Sequence, residues 1–119
     1  MRKILIVPVL AIMLCSSFYA GLAAETRSNL NNVIAYPNPF NKSIGDNEIT
    51  FENLTSKVTI RIYKLTGELI WKEEFTTTDG KAVWEVCNDS GRPVAGGIYI
   101  YLVTNPEGQK IAGKLAIIQ

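Results

Sequence analysis

The sequence predicts an all-β domain, a seven-stranded antiparallel sandwich of immunoglobulin-like type, behind a cleavable leader. Three observations lead there. After residue 32, short apolar runs alternate with polar residues at a period of two. Gly, Asn, Asp and Pro interrupt those runs about every 8 to 12 residues. Once the first 24 residues are set aside, no window carries a helical period.

The leader is read from Met1-Arg2-Lys3, an apolar run from Ile4 to Leu14, and small or neutral residues up to Ala24. That is the layout of a secretory signal peptide, with cleavage expected after Ala23 or Ala24. The apolar run is much shorter than the roughly 20 residues a helix needs to cross a bilayer, so no permanent span is expected. Cys15 follows Leu14 rather than a small residue, which argues against a lipoprotein. With residues 1–24 removed, Cys87 is the only cysteine left, and no intramolecular disulfide can form. We read it as a tolerated surface or half-buried thiol.

Residues 25–32 are polar, with Asn29, Asn31 and Asn32 clustered, and are expected to form a flexible lead-in. Residues 33–119 then form one domain, small enough to bury only about 60–65% of its unfolded surface. Val33 to Tyr36 is the first strand. Pro37 and Pro39 end or edge it, because neither can donate to a ladder, and each holds the preceding residue extended. Glu48 to Glu52 and Lys57 to Tyr63 alternate strictly, placing Val58, Ile60 and Ile62 inward. Thr66-Gly67 breaks the run, and Glu68 to Phe75 resumes it as the second arm of a hairpin, with Leu69, Trp71 and Phe75 on one parity. Ala82 to Val86, centred on Trp84, follows the Asp79-Gly80 turn. Asn88-Asp89-Ser90-Gly91 is a loop rich in residues that bond their own backbone or accept positive φ. Ile98 to Val103 is apolar on both parities, as in a strand covered on both sides. Pro106-Glu107-Gly108 turns the chain into the last strand, Lys110 to Ile118.

The composition excludes several chemistries. No histidine occurs, which removes Ser-His-Asp and Cys-His nucleophile schemes and most zinc sites. Glu48 with Glu52, or Glu73 with Glu74, could supply paired carboxylates, but on strands they alternate toward solvent. We therefore expect no enzyme, no cofactor and no metal. Asp79, Asn88 and Asp89 are oxygen ligands of a kind calcium favours, yet their spacing matches no loop motif, and turn formation explains them. Without the leader the chain has ten Lys and Arg against eleven acids, a net charge of −1. Such a surface offers no argument for nucleic acid or anionic lipid as a partner. Trp71, Trp84, Tyr99 and Tyr101 sit inside strands and are expected to pack rather than to form a sugar-stacking platform. The Asn-x-Ser/Thr triplets at Asn41, Asn53 and Asn88 are read as chance.

Three segments recur as a set: Tyr36-Pro37-Asn38-Pro39-Phe40-Asn41, Gly91-Arg92-Pro93-Val94-Ala95-Gly96-Gly97-Ile98-Tyr99, and Lys114-Leu115-Ala116-Ile117-Ile118-Gln119. Together they resemble the C-terminal sorting domain of type IX (Por) secretion cargo, a family related to the immunoglobulin-like domain of flagellar hook-capping proteins. The resemblance covers roughly Val33 to Gln119. It carries over onto Pro37, Asn38, Pro39, Phe40, Tyr63 with Gly67, Trp84 to Gly91, Gly97 to Tyr99, and the tail from Lys114. Gly96 stands where Ser is usual. The resemblance implies a seven-stranded sandwich, export through the inner membrane, and recognition of the folded domain by the outer-membrane secretion machinery for surface delivery. On it, Lys114, Ile117, Ile118 and Gln119 become the candidate receptor contacts, read as an exposed sheet edge with an extended tail. Sorting domains normally follow a large passenger, and here only residues 25–32 precede the domain. A truncated product, a free-standing surface module and a domain that associates with itself or another surface protein all remain open. The rival functions are a structural assembly module of the hook-capping type and a small adhesive or carbohydrate-binding domain.

Overall fold

A computed structural model describes residues 25–119; the expected signal peptide lies outside the described residues. The described residues form eight strands: β1 (Ile34–Tyr36), β2 (Phe40–Asn41), β3 (Ile49–Glu52), β4 (Lys57–Lys64), β5 (Leu69–Thr76), β6 (Ala82–Trp84), β7 (Gly97–Thr104) and β8 (Lys110–Ile118). One sheet has the order β1-β3-β6 and the other β2-β8-β7-β4-β5. Their inner faces hold Ile49, Phe51 and Trp84 from the small sheet, and Val58, Ile60, Ile62, Trp71, Tyr99, Tyr101, Val103, Leu115 and Ile117 from the large one. The chain is thus an all-β sandwich. Period-two patterning sorts each strand into an inward and an outward row, and burying the inward rows against each other drives the two layers together.

Five expectations change. The strand beyond the expected seven is β2, and it pairs parallel to β8, Phe40 beside Ile117 and Asn41 beside Ile118, so the sandwich is not wholly antiparallel. Leu69 does not share the inward row of Trp71: Ile62 pairs with Trp71 but Tyr63 with Leu69, leaving Ile70 as the extra residue of a β-bulge. The bulge flips the parity, so Ile70 packs against the core and Leu69 is exposed. Third, β7 is covered on one side only. Tyr99, Tyr101 and Val103 are buried, Ile98 is exposed, and Ile100 and Leu102 are half-buried. The latter two are shielded sideways by β4 and β8, between which β7 runs, and among the described residues no layer lies over them.

The fourth concerns residues 25–32, which are docked rather than a free lead-in. Leu30 is 2% exposed and belongs to the core. Arg27 N–H donates to the Leu54 carbonyl at 2.9 Å, and the Asn53 side chain donates to the Asn32 carbonyl at 2.9 Å. Glu25 and Leu54 carbonyls also lie 3.2 Å from where a Cβ on Gly80 would sit, and Gly80 has φ +73. A glycine there lets the segment lie against the 77–81 turn.

The last expected strand of the small sheet stops at Trp84 instead of Val86. Val86 has φ +59, a costly conformation for a β-branched residue, and is nonetheless buried. The turn it makes brings the Cys87 carbonyl to 2.8 Å from the Trp84 indole N–H. Trp84 also packs on Trp71, with ring centroids 5.6 Å apart.

Candidate functional site

The three segments singled out in the sequence, separated by as many as 70 or so positions of chain, meet around the end of β8. Pro37 and Pro39 have no N–H to offer a neighbouring strand. The residue between them replaces what they lack. The Asn38 side chain donates to the Lys114 carbonyl at 2.9 Å and accepts from the Ala116 N–H at 3.1 Å. A carboxamide presents one donor and one acceptor side by side, as a strand residue's own backbone does, so Asn38 stands in for a rung of the ladder. Two residues later Phe40 enters the core, 2% exposed, and its backbone aligns with Ile117.

The second segment holds the tail from the other side. Gly97 aligns with Ile117 and Tyr99 with Leu115. A Cβ on Gly96 would lie 3.2 Å from the Ile117 carbonyl. Tyr99 is buried and its hydroxyl donates to the Ala95 carbonyl at 2.6 Å, pinning the loop from which β7 starts. The Gln119 side chain donates to the Val94 carbonyl. Asn38, β2, the 94–97 loop and β7 therefore flank the last six residues on both sides.

This packing divides the candidate contacts. Ile117 is buried at 3%, so its side chain is not presented to solvent. Gln119 is engaged with Val94. Lys114 and Ile118 are exposed, and Ile118 points to the same outer face as Ile98, which is also exposed. The remaining motif residues serve the scaffold. Gly67, at φ +94, closes the β4–β5 hairpin, where its N–H donates to the Lys64 carbonyl at 2.9 Å. Tyr63 is half-buried on the outer face beside Ile100. Gly91, at φ +80, closes a loop organised by Asn88, whose side-chain oxygen accepts from both Ser90 and Arg92 N–H at 3.0 Å.

The other polar clusters are also committed to turns and edges. The Asp79 carboxylate accepts from the Thr77 hydroxyl at 2.7 Å and from Lys81 N–H at 3.1 Å, and these bonds hold its pKa below the usual carboxylate value. Asp89 sits on the free edge of β5: its N–H donates to the Ile70 carbonyl at 3.0 Å and its carboxylate accepts from Lys72 N–H at 3.2 Å. Burial, then the nearby Glu85 carboxylate, raises the Cys87 thiol above its usual value, which makes it a poor nucleophile. Among the described residues no cluster of three or more His, Cys, Asp or Glu is placed to hold a metal ion, and no helix is long and apolar enough to cross a membrane. What sequence reasoning missed is the Asn38 bridge, whose only advance signal is an amide side chain set between two residues that cannot donate.

Residues 34–118 match the family described as the secretion system C-terminal sorting domain. Among solved structures, this chain is similar to PorZ, an essential surface component of the type-IX secretion system of Porphyromonas gingivalis. The two are 29% identical with a TM-score of 0.65, over 77% of this chain and 12% of that one. It is also similar to dimeric latent PorU from the same organism, at 25% identity and a TM-score of 0.54, over 72% of this chain and 9% of that one. The chain thus spans about a tenth of the length of these solved relatives. No curated protein sequence matches it.

Proposed function

The chain belongs to the family of secretion system C-terminal sorting domains, and we propose that its sandwich is a non-catalytic address module, recognised by the outer-membrane type IX machinery and delivered to the cell surface. The observation that carries this reading is the convergence of three distant segments on one strand end. A fold that needed β8 only for its core would have no use for an amide rung, a parallel β2 and a glutamine anchor around its last residues. Together they give the tail one fixed shape. A receptor that meets a fixed shape does not have to order it on binding, which lowers the cost of recognition.

Within the tail, Lys114 and Ile118 are the proposed receptor contacts. Ile117 and Gln119 act by holding those two in place. Residues 1–24 carry the chain across the inner membrane, after which the sandwich folds and is read in the periplasm. The acidic residues Glu48, Glu52, Glu73 and Glu74, half-buried or exposed on strands or just before them, solubilise the sheets.

Expression of the full chain in a type IX-competent bacterium and in an otherwise identical strain lacking the translocon tests the proposal. Labelling of intact cells should find the protein on the surface of the first strain and inside the periplasm of the second. Equal surface labelling in both, or periplasmic retention in both, overturns it. The variant Ile118→Asp should lower delivery while leaving the melting temperature near that of the parent, because the residue is already 46% exposed and outside the core. Removing all of Lys110–Gln119 is a poor test, since it takes a whole core strand with it.

A further inference from the structure

The lock around β8 closes only half of its edge. In an antiparallel pair the N–H and C=O of one residue point to the same side, and the side alternates along the strand. Lys114 C=O and Ala116 N–H point away from β7, toward Asn38. The register from Gly97 beside Ile117 to Thr104 beside Lys110 runs without a shift, so every even-numbered residue of β8 addresses the outer edge. Asn38 and β2 occupy that edge from Lys114 C=O onward. Before that point, the main-chain groups of Lys110 and Ala112 and the N–H of Lys114 face no strand among the described residues.

Two of the usual defences are missing from this open stretch, and only charge remains. It contains no proline and no bulge, and its middle is the small pair Ala112-Gly113. Gly113 is fixed by packing, since a Cβ there would come within 2.4 Å of the Tyr101 ring. The only large exposed side chains are Lys110 and Lys114, two positions either side of Ala112 and on the same face. They select the partner. If two copies paired antiparallel about Ala112, Lys110 of each would stand opposite Lys114 of the other, and like charges directly opposite are destabilising. A strand with acidic residues at those two places would be favoured instead.

We propose that the Lys110–Lys114 edge receives, as an added strand, an extended segment of the secretion machinery that carries two acidic residues four positions apart with a small or apolar residue midway. The segment's backbone bonds to Ala112 and to Lys114 N–H, and its carboxylates face the two lysines. This rests on the sorting reading and moves the centre of recognition from the flanked terminus to the stretch just before it.

Ala112→Pro in the full chain tests it directly. It deletes an N–H that makes no bond to β7, at an edge position where proline is tolerated. Surface delivery should fall at least about tenfold, the loss expected for one backbone bond and a weakened charge contact, with circular dichroism and melting unchanged. The double variant Lys110→Glu, Lys114→Glu alters only exposed side chains, and it decides the matter if the proline variant fails to fold. In solution, a capped nine-residue peptide alternating Thr with two Glu four positions apart should slow amide exchange at Ala112 and Lys114. The same peptide with Lys for Glu should not, except on the charge-reversed variant. Absence of protection at those amides, or delivery of both variants at the parent level, overturns the proposal. If the parent chain is never delivered, the sorting reading fails, and the peptide measurement still decides whether the edge accepts an acidic strand.

Discussion

The five-stranded sheet has two edges, and they are finished in opposite ways. On β5, Asp89 bonds Ile70 and Lys72, and the open stretch beyond carries Lys72, Glu73 and Glu74, all exposed. On β8, Asn38 and β2 close the end, and the open stretch carries Ala112 and Gly113 between two lysines. A dense row of charges of both signs must be desolvated before any strand can add, which blunts the edge to all partners. Small side chains flanked by charges of one sign exclude like-charged strands and admit opposite ones. Both edges therefore avoid indiscriminate pairing, one by refusing strands and the other by choosing among them.

The comparison breaks most visibly at Phe40. This ring is 2% exposed and anchors β2 along β8, so Phe40→Ala should cost about 3–5 kcal/mol of stability, read from the shift in denaturant midpoint. Phe75→Ala on β5 should cost clearly less, because that ring is only half-buried. Equal losses would mean that β2 contributes nothing to holding the tail. Gly113→Ala should follow, at about 1–3 kcal/mol, since the new methyl would overlap Tyr101. Combining it with Tyr101→Ala should cost less than the sum of the two changes, because the second removes the clash that the first creates.

Smaller effects separate the two capping side chains. Asn38→Leu removes a donor and an acceptor from an exposed site and should cost about 1 kcal/mol. Amide exchange should speed up at Ala116 and stay unchanged at Lys72. Asp89→Ala keeps the backbone bond to Ile70 and loses only the carboxylate's bond to Lys72, so about 0.5 kcal/mol is expected. There the exchange pattern should be the reverse.

Much of this architecture is legible in the residues because alternation is a local signal. Val58, Ile60 and Ile62 follow one another at period two, and all three are buried. The departures are places where a local signal is silent. The parity of Leu69 cannot be counted through a bulge that exists only opposite Tyr63. Leu30 is a single apolar residue in an asparagine-rich stretch and gives no period at all. Phe40 and Asn41 are too short a run to alternate, and their partners lie more than 70 residues away. The tail residues are named by the sequence, but their division into exposed Lys114 and Ile118, buried Ile117, and Gln119 tied by its side chain to Val94 depends on which face β7 and Asn38 leave open.

The finest distinction between the edges is in their response to acid. The β8 lock is a carboxamide, which holds no titrating proton. Just past the end of β5, Asp79 closes the 77–81 turn with a carboxylate whose bonds to Thr77 and Lys81 favour the charged form and lower its pKa from 3.8. A carboxylate with a depressed folded-state pKa adds stability that is fully present above its unfolded value and is lost as pH falls through the folded one. The Lys81 amide resonance should therefore shift in a transition centred below pH 3.8, and Asp79→Asn should abolish it. The Ala116 amide, bonded to Asn38, should show no transition with that midpoint. A shared midpoint at both amides would mean that the two ends of the sheet open together, and the independence of the tail lock would be lost.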